Sequence, residues 1–249
     1  SDVITQFFWA AKGVKAQSLP EYLSSLYGAF HASWEPYSDG GRSLEGGWNA
    51  ITLLFHRYLI QRLFPFPASI AWLAVLALAW GGIGTFYYCR RIGVGRGGAF
   101  LGGIIFALCS ENLTLINAGH IQKIEAIVWL PWILLAFEKA LTGGRFFHYL
   151  LTGLLLAVQF FHMHWQISFY TCLCVAVYWL FRVVFLWHDD ESYRIRSLFR
   201  DIALSAVMVI FFFTTIAMSF APLLSWSKQS ERGGGMSQEQ GMRDRKSVV

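Results

Sequence analysis

The chain has 249 residues, 55% hydrophobic, 17% aromatic and 14% charged, with a mean hydropathy of +0.46. A soluble domain carries about 25% charged residues, so a single soluble globular domain is excluded, and 22 Phe, 11 Trp and 10 Tyr exclude a disordered chain. The formal charge of +5 is spread between apolar runs instead of gathered in one basic segment, which argues against a nucleic-acid partner and leaves a polytopic protein of the lipid bilayer.

The first 66 residues read as an external segment with interfacial helices. A helix is expected over 2–16, and another begins near Ser18 with Pro20 in its first turn. Gly40, Gly41, Gly46 and Gly47 mark loop. From Trp48 to Phe64 the apolar residues Ile51, Leu54, Phe55, Tyr58, Leu59 and Leu63 recur at helical spacing, with Thr52, His56, Gln61 and Arg62 off that stripe. Such a helix lies in the outer interface without crossing it.

Six apolar stretches follow, at 67–88, 97–117, 121–141, 146–163, 165–187 and 202–225, each near the roughly 20 residues that a spanning helix needs. They are long and continuous, unlike the short alternating segments of a transmembrane barrel. The expected fold is an all-α polytopic membrane protein with about six transmembrane helices over 67–226, followed by the start of an external loop at 227–243. Asp244 to Val249 resembles a translated sequencing adapter, so 244–249 is expected to be an artefact and the chain a fragment of a longer protein with an earlier span before Ser1.

Lys and Arg concentrate in cytoplasmic loops. The turn near 90 carries Arg90, Arg91 and Arg96, the turn near 142 carries Lys139 and Arg145, and 182–200 carries Arg182, Arg194, Arg196 and Arg200. The connection around 120 has only Lys123, and the one around 164 has no basic residue. This alternation places the connections around 120 and 164 outside. Cys89, Cys109, Cys172 and Cys174 sit in or at the ends of spans and read as small buried hydrophobes, not as a disulfide framework.

Polar residues gather at that outer boundary. Cys109 to Trp132 contains Glu111, Asn112, Asn117, His120, Gln122, Lys123 and Glu125. His120 and Lys123 are three apart at the start of a helix and so share a face near the positive end of its dipole, an arrangement that suits phosphate. Asn112-Leu-Thr114 matches a glycosylation sequon, but its place in a span makes it a false match. The second cluster, Gln159 to Tyr170, holds His162, His164 and Gln166 at the outer turn. Two histidines in one loop without a carboxylate beside them are weak evidence for a metal, so no cofactor is expected and a divalent metal is unsupported.

The string AGHIQKIEAIVWLPWILLAFEKAL, followed one helix later by GLLLAVQFFHMHWQISFY, resembles the YfhO family of bacterial membrane proteins. That family belongs to the GT-C superfamily of glycosyltransferases, which take sugars from polyprenyl-phosphate donors. The likeness rests on Gly119-His120 with Lys123, on Trp129-Leu130-Pro131, and on His164-x-Gln166-Ile167 with Tyr170. SDVITQFFWA is similar to the start of a first external loop and LLSWSKQSERGG to the region after a later span. Trp165 departs from the small residue or Pro expected at its position.

The resemblance implies an enzyme of the bacterial cytoplasmic membrane with an extracytoplasmic active face, moving a sugar from a polyprenyl-phosphate donor to a cell-envelope glycan or polymer acceptor. It implies Asp2 as the catalytic base, and His120, Lys123 and Arg232 as the groups that hold the donor phosphate. Glu111, Asn117, Glu125, His164 and Gln166 form the supporting polar cluster, with no metal. A transporter or lipid flippase would instead carry broken helices, mid-membrane ionisable groups and an internal repeat, and a non-catalytic membrane subunit would need neither cluster.

Overall fold

The computed structural model describes residues 34–35, 42–43, 55–65, 68–143, 145–162, 164–189 and 195–229. Strands β1 (Trp34–Glu35) and β2 (Arg42–Ser43) form a short antiparallel ladder, with Trp34 opposite Ser43 and Glu35 opposite Arg42. The rest is helical: α1 (Phe55–Leu63), α2 (Ala68–Arg91), α3 (Arg96–Ala107), α4 (Ser110–Asn117), α5 (Ile121–Ile127), α6 (Leu130–Gly143), α7 (Phe146–Phe161), α8 (Trp165–Asp189) and α9 (Ile195–Gln229). Of the helix expected over 48–64, the described residues show Phe55–Leu63 as helical, α1. The helices expected at 2–16 and near Ser18, and the segments 230–243 and 244–249, lie outside the described residues.

The chain is an all-α polytopic membrane protein. Among the described residues four stretches are long and apolar enough to cross a membrane: Ala68–Arg91, Arg96–Asn117, Trp165–Val184 and Leu198–Ala217. Their outward faces carry exposed large side chains, such as Val75, Leu76 and Ile83 on α2, Phe100 and Ile105 on α3, and Leu173, Val177 and Phe181 on α8. In water this would be an apolar patch far larger than a soluble monomer shows. Against hydrocarbon it is an ordinary surface.

The other two apolar stretches are helical but shorter, and they lie inside. The stretch at 121–141 is divided at Val128 and Trp129 into α5 and α6, because Pro131 has no N–H to continue the ladder. The stretch at 146–163 forms α7, whose 16 residues extend about 24 Å, short of a ~30 Å hydrocarbon core. The main core joins Ile133, Phe137 and Ala140 of α6 to Tyr149, Leu156 and Phe160 of α7, with Val175 of α8 and Met208, Phe212 and Ile216 of α9. A Cβ on Gly103 of α3 would sit 2.7 Å from the Gly82 carbonyl oxygen of α2, so those helices approach as only small residues allow.

Chain direction fixes the two ends of the bundle. At one end α2 stops at Gly93 (φ +95°), where the Val94 N–H donates to the Cys89 carbonyl at 3.0 Å in a glycine-terminated helix stop. Arg91 there donates to Thr142 at the end of α6, which brings the basic turns near 90 and 142 together. The opposite end holds the turn at 118–120 together with His162 and His164, with α1 packed against Glu125 of α5. Near the basic end Glu138 accepts from Tyr178 Oη at 2.6 Å and pairs with Arg182 Nη2 at 3.0 Å, so this buried carboxylate is compensated.

Candidate functional site

His120, Lys123 and His164 lie at the end opposite the Arg91 turn, and local chemistry explains how. The span Arg96–Asn117 breaks at Leu108 and Cys109, where the Asn112 side chain turns back and donates to the Phe106 carbonyl at 2.8 Å. Asn112 is thereby buried, which removes the sequon from any modifying enzyme. At the end of α4 the Gly119 and His120 N–H groups donate to Ile116 and Leu115 carbonyls at 3.0 and 2.9 Å. This stop needs the left-handed Gly119 (φ +77°). Gly119-His120 therefore begins as a folding device: it reverses the chain so that α5 starts at once and faces α4.

The reversal brings Lys123 Nζ to 3.9 Å from Glu111 Oε1. His164, between α7 and α8, joins from a third direction: burial, then the Lys123 and His120 charges, push its imidazole below the ordinary value. Glu111, His120, Lys123 and His164 thus share one electrostatic neighbourhood at one bundle end. The helix dipole expected to assist them is minor, because α5 has only seven residues. Asn117 is exposed at the last turn of α4, and Gln166 donates to Tyr170 Oη at 3.2 Å along α8. Asp2 and Arg232 lie outside the described residues.

Glu125 belongs to a different, interior cluster. The residue is 2% exposed, as is usual only for paired carboxylates, and Arg57 Nε of α1 stands 3.3 Å from Oε1, with His56 Nε2 at 3.7 Å. Burial alone would raise the Glu125 carboxyl, but the Arg57 guanidinium, helped by His56, holds it below its ordinary value. His162, just past α7, is 1% exposed and accepts from Trp129 Nε1 at 2.8 Å. Burial pushes its imidazole down to about 3, so it is neutral. Beneath it the buried Gln159 amide donates to the Ala126 carbonyl at 2.9 Å and to Thr171 Oγ1 at 3.0 Å, tying α5, α7 and α8 together.

The loop histidines therefore part company. His162 points inward to Glu125 and His56, and His164 outward to Lys123. Sequence reasoning missed His56 and Arg57 as site residues, because α1 reads as a surface helix whose polar face meets water. The available signal was that His56 and Arg57 adjoin an apolar stripe too narrow to decide which side faces protein. Comparison with protein-family models, curated proteins and solved structures finds no match.

Proposed function

We propose that this chain forms the donor-binding membrane region of a glycosyltransferase that moves a sugar from a polyprenyl phosphate to a cell-envelope acceptor on the extracytoplasmic face of the bacterial cytoplasmic membrane. One observation carries the reading: His120 and Lys123 at the start of α5 and His164 between α7 and α8 share one electrostatic neighbourhood at one end of a largely apolar bundle. A departing lipid phosphate needs cationic and imidazole donors in a water-poor place, and a polyprenyl tail needs an apolar surface directly beside them. Asp2, from the family likeness, takes the acceptor hydroxyl proton. Glu125 is less suited to that role, since Arg57 already engages its buried carboxylate.

A transporter would hold its ionisable groups near mid-membrane, whereas this cluster sits beside helix ends. Release of polyprenyl phosphate by the full-length protein, assayed with labelled polyprenyl-phosphate sugars, tests the reading. Lys123→Ala is expected to cut donor turnover by at least about 100-fold, the scale of losing one preorganised charge-stabilising donor, while leaving the thermal midpoint within a few degrees because Lys123 and Glu111 are a partly exposed pair. Absence of sugar transfer or donor hydrolysis with every lipid-linked sugar tried defeats the enzyme reading.

A further inference from the structure

We propose that His56, Glu125 and His162 bind one divalent transition-metal ion of the zinc class, between α1, α5 and the end of α7. The three residues each offer one ligand atom, and these atoms lie within 4.8 Å of one another. The second observation is an unsatisfied interior. Glu125 Oε2 and His162 Nδ1 make no hydrogen bond, and Glu125 Oε1 is held only by ion pairs with Arg57 and His56, although more than nine in ten buried polar groups in proteins have a partner. Two such atoms face one place from α5 and the end of α7, one of them on a carboxylate that an ion would satisfy directly.

The donor set selects the class of ion. Two imidazoles and one carboxylate suit zinc and its neighbours and leave a fourth position open, whereas magnesium and calcium prefer all-oxygen sites. Ligand atoms around a tetrahedral zinc stand roughly 3.3 Å apart, given metal–ligand distances near 2.0–2.1 Å, so the cluster must contract. His56 is the member free to move, its side chain being 44% exposed against 3% for Glu125.

Two groups compete with the ion. Arg57 supplies the positive charge beside Glu125, and a dication would compete with it for the carboxylate. His162 Nε2 accepts from Trp129, so Nδ1 carries the proton in the metal-free tautomer. Coordination through Nδ1 transfers that proton to Nε2 with no net release, and the Trp129 N–H gives up its acceptor. A metal site therefore binds more tightly once a competitor is removed, which a purely structural ion pair has no reason to do.

The test is independent of sugar transfer, so its failure and the failure of the proposed function are separable. Full-length protein in detergent, stripped with a chelator, is titrated with Co²⁺ while its visible d–d absorption and bound metal are followed. The expected result is one equivalent of Co²⁺ displaced by Zn²⁺, with affinity at least about 100-fold weaker in His56→Ala, since losing even an outer-shell partner costs 10–100-fold. Arg57→Gln is expected to bind more tightly, and His164→Ala to bind as wild type. His56 is half-exposed, so its removal tests the site without hollowing the core. Absence of stoichiometric Co²⁺ in both wild type and Arg57→Gln, or unchanged binding in His56→Ala, overturns the proposal.

Discussion

Glu138 shows what an ionisable residue costs inside this bundle and what keeps it there. It is 5% exposed on α6, and its two oxygens take Tyr178 and Arg182, both on α8. A charge left in hydrocarbon costs roughly 2.5–3.5 kcal/mol on insertion scales, and breaking a buried pair from one side costs about 3–5 kcal/mol. Arg182 stays 19% exposed and can reach the interface, so the lower figure applies. Glu138→Gln is expected to lose about 3 kcal/mol, and Glu138→Gln with Arg182→Met to regain most of it, because the double change leaves no unpaired charge. Thermal unfolding of the two variants in detergent checks this, and equal midpoints would mean that the pair is not coupled.

At the scale of elements, two helix stops decide where the chemistry lies. Gly93 and Gly119 both hold positive φ, one closing the basic end and the other setting α4 against α5. A residue with a Cβ at such a position costs about 1–2 kcal/mol, and the chain can relieve that strain only by reopening the turn. Gly119→Ala is therefore expected to lower the thermal midpoint modestly but to reduce donor turnover more than stability alone explains, since Lys123 would no longer face Glu111 and His164. A loss of activity that merely tracks the loss of folded protein would show that the turn only stabilises. These elements also mark how much was legible. Long apolar runs announce helices because lipid demands internally satisfied backbone, and the gathering of polar residues from 111 to 125 was visible as a string. Pro131, read as part of one span, in fact divides it, because an apolar average is blind to a missing N–H. His56 escaped notice for a different reason: periodicity reports a helix face, while the partner of that face comes from 69 residues further along the chain, at Glu125.

The whole molecule is asymmetric along its long axis. Arg90, Arg91, Arg96, Lys139 and Arg145 belong to one end, where Arg91 and Thr142 join α2 to α6. His120, Lys123 and His164 belong to the other, with α1 packed above Glu125. Short loops rich in Lys and Arg stay cytoplasmic, so the positive-inside rule predicts a cytoplasmic face at Gly93 and an outer face at His120. In that orientation the Lys123 cluster would lie on the outer side, as the proposed transferase requires. In a background lacking Cys89, Cys109, Cys172 and Cys174, a single cysteine at His120 or Gly40 is expected to react with a membrane-impermeant maleimide in intact cells. One at Gly93 or Ser192 should react only after the membrane is opened. The reverse pattern would invert the molecule, placing the Lys123 cluster in the cytoplasm and removing the physical basis for the proposed extracytoplasmic transferase. A cysteine at His120 tests this best, because the Gly119 stop holds it exposed at the mouth of the cluster.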